Sequence, residues 1–485
     1  MAVTTNETTA PAKAAWIGLI LGPLLLLACL LTEPPAGLSS AAWATIGLTL
    51  LMATWWSTEA IPIPATSLLP ILLIPALGID SLNAASAPYA NPTIYLFLGG
   101  FILGLAMERW NLHKRIALMT LLAVGSKPSR QIAGFMLATA FLSMWVSNTA
   151  TTIMMLPIGL SVVAMLAGER DSGGAERERF ATALLLAIAY AASIGGIATL
   201  IGTPPNALLA AFLAENYDVQ IGFGQWMLLG LPVAFVMLVL TWWWLTRGGF
   251  KLAGHDSSQL IRSELAELGP LSRGEKLVAL VFVLTALAWV FQPLIADKLP
   301  GVNDTSIAIA AAMALFIIPV DTRKRVFLMN WESASKLPWG VLLLFGGGLS
   351  LASVIRSTGL AEWIAQSLGA LGALPVIAMI GVVVLVIIFL TEVTSNTATA
   401  AAFLPLLGAL AVSQGMPAEL LAIPAAIAAS CAFMMPVATP PNAIVFGTGH
   451  MKIQSMIKAG FALNLFGVVL VTLICYLLVG LIWAH

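Results

Sequence analysis

The chain has 485 residues, 60% hydrophobic and only 9% charged, with no net charge. No soluble fold hides that much apolar surface, so the composition implies an all-α polytopic membrane protein whose largest partner is the lipid bilayer. Zero net charge gives no footing for nucleic acid. Cys29, Cys431 and Cys475 lie in apolar runs and read as core residues. His113, His255, His450 and His485 show no ligand spacing and read as surface residues. No metal framework or organic cofactor is expected.

After a polar tail (1–13), spans are expected at 14–32, 41–56, 61–77 and 93–107. The first could pass for a signal peptide, but further spans follow it. Gly100 and Gly104, four apart in the fourth span, read as ordinary close helix packing. The charged stretch 108–130 is amphipathic and suits the membrane surface. Residues 131–167 carry Ser147-Asn148-Thr149 near their middle. At 1.5 Å per residue the two arms are roughly 24–27 Å long, short for spans and suited to a re-entrant hairpin. Residues 180–214 are too long for one straight span, and Gly202-Thr203-Pro204-Pro205-Asn206 interrupts them. A span at 225–246 and a polar linker at 247–276 follow.

The second half repeats the scheme. Spans are expected at 277–296, 305–320 and 339–357. A second hairpin at about 375–413 has Ser395-Asn396-Thr397 at its tip. A second broken helix at 419–447 holds Thr439-Pro440-Pro441-Asn442, and a last span covers 461–483. Ser147 and Ser395 are 248 positions apart, as are Phe97 and Phe345 of two Phe-x-Gly-Gly segments; Thr203 and Thr439 are 236 apart. Matched order at nearly constant offset marks an internal duplication, and paired interrupted helices point to a transporter site. About 11 transmembrane helices plus two re-entrant hairpins result.

Charge tests this topology. With a cytoplasmic amino terminus, both hairpins re-entrant and the carboxyl terminus outside, 20 of 22 basic residues fall on the cytoplasmic side, with Lys298 and Arg356 outside. A single span in place of the first hairpin would invert every later loop and destroy the bias. The first hairpin then opens to the cytoplasm and the second to the outside, so the repeats are inverted.

Each tip offers hydroxyls, a carboxamide and unpaired backbone groups. Oxygens suit a hard cation such as sodium; helix-start N–H groups suit an anionic oxygen. No Lys, Arg or His lies near either tip, so a bound anion needs co-bound cations and helix dipoles. That favours cation coupling over a proton relay. Glu392, three residues before Ser395, is the one acid there, read either as a structural acid bonded to freed backbone groups or as a functional one. An enzyme is disfavoured, since no nucleophile–base pair or phosphate loop accompanies the breaks.

At these residues the chain resembles the divalent-anion/sodium symporter (DASS) family, especially its bacterial sodium-coupled dicarboxylate transporters. The specific segments are the paired Ser-Asn-Thr tips and Ser430-x-x-Phe433-x-x-Pro436-Val437-Ala438-x-x-x-Asn442-x-Ile444-Val445. The resemblance implies an inner-membrane homodimer in which a transport part slides against a scaffold as an elevator. It implies a first sodium site at Ser143, Ser147, Asn148 and the Gly196 carbonyl, and a second at Thr391, Thr394, Asn396 and the Ala438 carbonyl. Substrate carboxylates would meet Asn148, Thr149, Ser395, Asn396 and Thr397, with Thr439 and Pro440 closing the pocket and a weaker contact at Thr203 and Pro204. The implied organisation is scaffold helices (14–92), a first repeat (93–246), the linker (247–276), further scaffold helices and a cytoplasmic loop (277–337) and a second repeat core (338–485). The expected function is sodium-driven uptake of C4-dicarboxylates. A dicarboxylate or citrate/succinate exchanger on the same fold, and an anion channel or sensor, remain as alternatives.

Overall fold

A backbone in hydrocarbon has no water to bond, so each apolar run closes its own hydrogen bonds as a helix. The computed structural model describes residues 12–125, 127–167, 174–250, 258–367 and 374–483. The chain runs α1 (Ala12–Leu31), α2 (Ser40–Thr58), the short α3 (Ile63–Thr66), α4 (Leu69–Ala76) and α5 (Leu82–Ser86), then a 3-10 turn (Ala87–Ala90), α6 (Pro92–Arg109) and α7 (Leu112–Val124). The first hairpin is α8 (Pro128–Ser143) and α9 (Asn148–Ala167); the first broken helix is α10 (Gly174–Ile197) and α11 (Pro204–Tyr217); α12 (Phe223–Thr246) closes the half. Next come α13 (Ser258–Glu267), α14 (Arg273–Val290), α15 (Gln292–Ala296) and α16 (Asp304–Ile317), and the two-stranded β1 (Pro319–Asp321) and β2 (Val326–Phe327). They are followed by α17 (Trp331–Ala334), α18 (Trp339–Ser357) and α19 (Leu360–Ser367). The second hairpin is α20 (Val376–Thr391) and α21 (Asn396–Ser413), the second broken helix α22 (Glu419–Ala429) and α23 (Pro440–Phe446), and α24 (Ile453–Trp483) ends the fold.

Among the described residues, eight helices are long and apolar enough to cross a membrane; α16, α20 and α22 are apolar but shorter. Large apolar side chains such as Ile20 and Leu24 on α1, Phe235 and Val239 on α12, and Leu465 and Val469 on α24 are exposed. Such stripes are the lipid-facing surface of a multi-pass membrane protein.

Several expectations need local correction. The run 61–77 is not one span: Pro62, Pro64, Pro70 and Pro75 withhold N–H groups, and the chain divides into α3 and α4 around Ser67. Ser67 is tied by Trp56 Nε1 to its hydroxyl (3.2 Å) and by the Tyr89 hydroxyl to its carbonyl (2.5 Å). The linker 247–276 holds a helix, α13, which docks on α7. Lys114 pairs with Glu264 at 2.8 Å, and the nearly buried Arg115 pairs with Glu275 at 2.5 Å. The charged face of α7 is therefore covered by protein. His113 on the same helix is half-buried, with Nδ1 3.1 Å from the Met107 carbonyl, rather than a plain surface residue. The described cysteines are free and buried.

Helices α8–α12 and α20–α24 pack on one another and carry all four breaks; α6, α14 and α16 form a second group, and α18 packs on the turns between residues 63 and 90. Glycines line the seam between the groups. A Cβ at Gly100 would meet Ile201 at 3.1 Å, one at Gly104 the Trp145 carbonyl at 3.0 Å, and one at Gly348 the Ala401 methyl at 3.2 Å. The Gly100/Gly104 spacing thus serves close packing within the chain. Across the same seam the Phe223 ring stacks between Trp289 (4.4 Å) and Trp145 (6.0 Å), and Asp304 Oδ2 accepts from Phe223 N–H at 2.7 Å.

Removing one partner of a buried ion pair strands the other charge. Glu275→Ala is expected to destabilise the protein by roughly 3–5 kcal/mol. Arg115→Met/Glu275→Met, which removes both charges, should recover most of the loss. Thermal unfolding of the detergent-solubilised protein checks both.

Candidate binding site at the four helix breaks

Thr-Pro-Pro-Asn is a helix restart. The residue before a proline is driven to extended backbone, and Thr203 and Thr439 have φ of −146° and −142°. The two prolines fill the first helical positions, where an N–H has no intrahelical partner. The asparagine that follows reaches back to the end of the preceding helix. Asn206 Nδ2 donates to the carbonyls of Thr199 (2.9 Å) and Gly196 (3.2 Å); Asn442 Nδ2 donates to those of Met435 (3.0 Å) and Ala432 (3.2 Å). Thr199 to Met435 and Gly196 to Ala432 are both 236 positions, the offset of the motif itself. Duplicated residues therefore make duplicated bonds.

The tips obey the same rule. Ser143 Oγ donates to the Ala192 carbonyl (2.7 Å) and Thr391 Oγ1 to the Ala429 carbonyl (3.0 Å). The inner arm of the Asn148 carboxamide lies 2.5 Å from Ser143 Oγ, 3.1 Å from Ala192 O and 3.3 Å from Gly202 O. Two arrangements satisfy that ring of lone pairs. Either the amino group turns inward, or the amide oxygen does so around a cation. Thr391 Oγ1 meets Asn396 Oδ1 at 2.7 Å in the second repeat. Gly196 is packed against the ring: a Cβ there would lie 2.8 Å from Gly202 O and 2.9 Å from Asn148 Oδ1.

The repeats differ at their caps. Ser147 is exposed and its hydroxyl caps α9, accepting from Ala150 N–H at 3.1 Å. Ser395 makes no side-chain cap on α21 and leaves its hydroxyl and the first N–H groups of that helix available. The breaks also differ in length, 198–203 against 430–439. Thr199 Oγ1 donates to the Met144 carbonyl at 2.5 Å across the shorter one. Glu392, 248 positions after Met144, spans the longer one. Its Oε1 accepts from Phe433 N–H (2.7 Å), Met434 N–H (2.9 Å) and Asn464 Nδ2 (2.8 Å), and its Oε2 from Met435 N–H (2.9 Å). Glu392 is buried and holds the freed N–H groups of the break.

Several expected ligands sit together and others do not. Ser143 meets Asn148, and Thr391 meets Asn396. Thr394 Oγ1 turns to the Leu390 carbonyl (2.9 Å) and Thr399 Oγ1 (2.6 Å) instead. Thr397 and Thr439 are buried, and Asn442 N–H donates to Thr439 Oγ1 at 3.4 Å. Thr203 makes no side-chain cap before Pro204. The Gly196 carbonyl already accepts from Asn206. Sequence reasoning missed the carbonyls of Ala192, Gly202 and Ala429, and the role of Asn206 and Asn442 as pins. The asparagines were findable, since each follows two prolines that free carbonyls needing donors. The two halves interlock: α23 packs on α9 and α10, α11 packs on α21 and α22, and the Tyr190 hydroxyl donates to the Phe433 carbonyl at 2.8 Å.

Comparison with known proteins fits this arrangement. A family model described as the sodium:sulfate symporter transmembrane region matches residues 13–484. The sodium-dependent dicarboxylate transporter SdcS of Staphylococcus aureus strain USA300 is 45% identical over 472 residues, covering 95% of this chain and 90% of its own. SdcS of strain MRSA252 is 45% identical over 478 residues, 96% and 91% of the two chains. Among solved structures, the YdaH transporter of Alcanivorax borkumensis aligns with a TM-score of 0.57 at 15% identity, over 98% of this chain and 99% of its own. MtrF of Neisseria gonorrhoeae aligns at 0.55 and 13% identity, over 95% and 94%. At such identities the structural likeness shows the fold alone.

Glu392→Ala would leave three backbone N–H groups and the Asn464 amide without an acceptor. It is expected to lower stability by about 3 kcal/mol or more, while Glu392→Gln, which keeps one oxygen, loses less. Fluorescence-detected size-exclusion melting curves of the two variants check the order.

Proposed function

The chain belongs to the sodium:sulfate symporter family, and from that premise we propose that it couples sodium entry to uptake of C4-dicarboxylates such as succinate, malate or fumarate. It is a membrane transporter and not an enzyme. The S. aureus relatives are named sodium-dependent dicarboxylate transporters, which supports the choice of ion and substrate class.

The observation that carries the reading is a site rich in oxygen and empty of fixed positive charge. Residues 131–169, 180–246 and 357–449 contain no Lys, Arg or His, yet they supply both tips and both breaks. In our reading one sodium lies with Ser143, Ser147, Asn148 and backbone carbonyls that include Gly196, and we add Ala192 and Gly202. The other lies with Thr391, Thr394, Asn396 and Ala438, with Ala429 added. The starts of α9 and α21 then present Asn148, Thr149, Ser395, Asn396 and Thr397 to the substrate carboxylates, with Thr439 and Pro440 closing the pocket and Thr203 and Pro204 beside it. Sodium binds first, because an anion brought to uncompensated oxygens would be repelled. The inverted repeats and the glycine-lined seam support an elevator mechanism, and the positive-inside bias supports an amino terminus in the cytoplasm and a carboxyl terminus outside; the homodimer is carried over from the family resemblance.

Reconstituted into proteoliposomes, the protein should take up labelled succinate only with inward sodium. Uptake that persists when choline replaces sodium contradicts coupling, and uptake only into dicarboxylate-loaded vesicles indicates exchange. Asn148→Ala and Asn396→Ala should each abolish uptake in protein that still elutes as a single species. Gly196→Ala, which pushes a methyl at the Asn148 carboxamide, should raise the half-saturating sodium concentration on the order of tenfold.

A further inference from the structure

A cavity of about 370 Å³ lies between the starts of α10 and α24 and the end of α12. Its polar wall carries Arg179, Arg247 and Lys458 against one carboxylate, Glu178. None of these belongs to the transport site: from Arg179 to Gly196 along α10 is roughly 26 Å. Glu178 is drawn toward Lys452 at 3.8 Å. Arg179 Nη1 lies 3.5 Å from Glu176, and its Nη2 donates to the Arg247 carbonyl at 2.5 Å. The Arg247 guanidinium sits 3.1 Å from the centre of the Trp244 ring, and among the described residues no carboxylate pairs with Lys458. Among the described residues neither Arg247 nor Lys458 pairs with a carboxylate, and the starts of two long helices add partial positive charge.

The rest of the lining includes apolar Leu186, Leu245 and Ala459. Farther along the same helices, α12 exposes Phe235, Val239 and Trp243, and α24 exposes Phe461, Leu465 and Val469. A ligand that fits both kinds of lining is an amphiphile with an anionic phosphate head and acyl chains. We propose that this cavity binds the headgroup of an anionic phospholipid, its phosphate held by Arg247 and Lys458 and its chains laid along α12 and α24. The volume is within the range of specific small-molecule sites. Basic pockets between transmembrane helices near the cytoplasmic surface are suited to such headgroups. The cytoplasmic placement rests on the topology above; the binding itself does not. A free phosphate would offer the same head but leave the apolar lining and the exposed stripe unused.

The test uses the full-length protein in neutral detergent micelles without sodium or dicarboxylate, so it reads lipid binding independently of the transport reading. Brominated phosphatidylglycerol should quench a component of tryptophan emission that Trp244→Phe removes, and brominated phosphatidylcholine should not. In Arg247→Gln/Lys458→Gln the half-quenching lipid concentration should rise on the order of tenfold or more. Glycerol 3-phosphate should fail to displace the lipid. Equal quenching by both lipids, an unchanged midpoint in the double variant, or displacement by glycerol 3-phosphate would each overturn the proposal. Melting curves of the double variant matching those of the unmodified protein exclude misfolding as the cause of lost quenching.

Discussion

Everything in this fold depends on how freed backbone groups are satisfied where helices stop inside the protein. A broken helix leaves carbonyls at one end and N–H groups at the next start, and here both are buried, so they need partners from the chain. The protein answers with a small set of side chains used twice. Asn206 and Asn442 bind the carbonyls left by α10 and α22. Ser143 and Thr391 fix the last turns of the hairpins to the broken helices beside them. What these pins leave over is the material of the proposed site: the Asn148 and Asn396 carboxamides and the start of α21, which has no side-chain cap.

The second repeat shows the limit of that economy. Its break is longer, and neutral groups no longer suffice, so a carboxylate takes over where the first repeat has Met144. Glu392 bonds to three successive N–H groups and an asparagine, and among the described residues it pairs with no arginine or lysine. Three backbone N–H groups and the Asn464 amide stabilise its charge. The longer break and its acid also make the two halves unequal, so an exact exchange of roles between the repeats is not built into the sequence.

Much of this could be read from the sequence because the determinants are local. Proline pairs, glycine pairs and Ser-Asn-Thr triplets announce where a helix stops and restarts, and the structure puts helix ends at 144–147, 198–203, 392–395 and 430–439. What escaped depends on residues far apart in the chain. The clamp of α13 and α14 on α7 joins Arg115 to a glutamate 160 positions later. The carbonyls of Ala192 and Ala429 belong to residues whose side chains announce nothing. The division of 61–77 into two short helices was misread because its hydrophobicity outweighed its four prolines. Whether Glu392 is structural could not be settled from composition; its four hydrogen bonds now favour the structural role.

The central claim is that cations complete the anion site. Equilibrium binding tests it most directly: radiolabelled sodium binding to the purified protein by scintillation proximity, with and without dicarboxylate, and dicarboxylate binding in sodium against potassium. The account predicts sodium binding in the absence of dicarboxylate, and dicarboxylate affinity that rises steeply with sodium. Dicarboxylate binding of equal strength in potassium would contradict it.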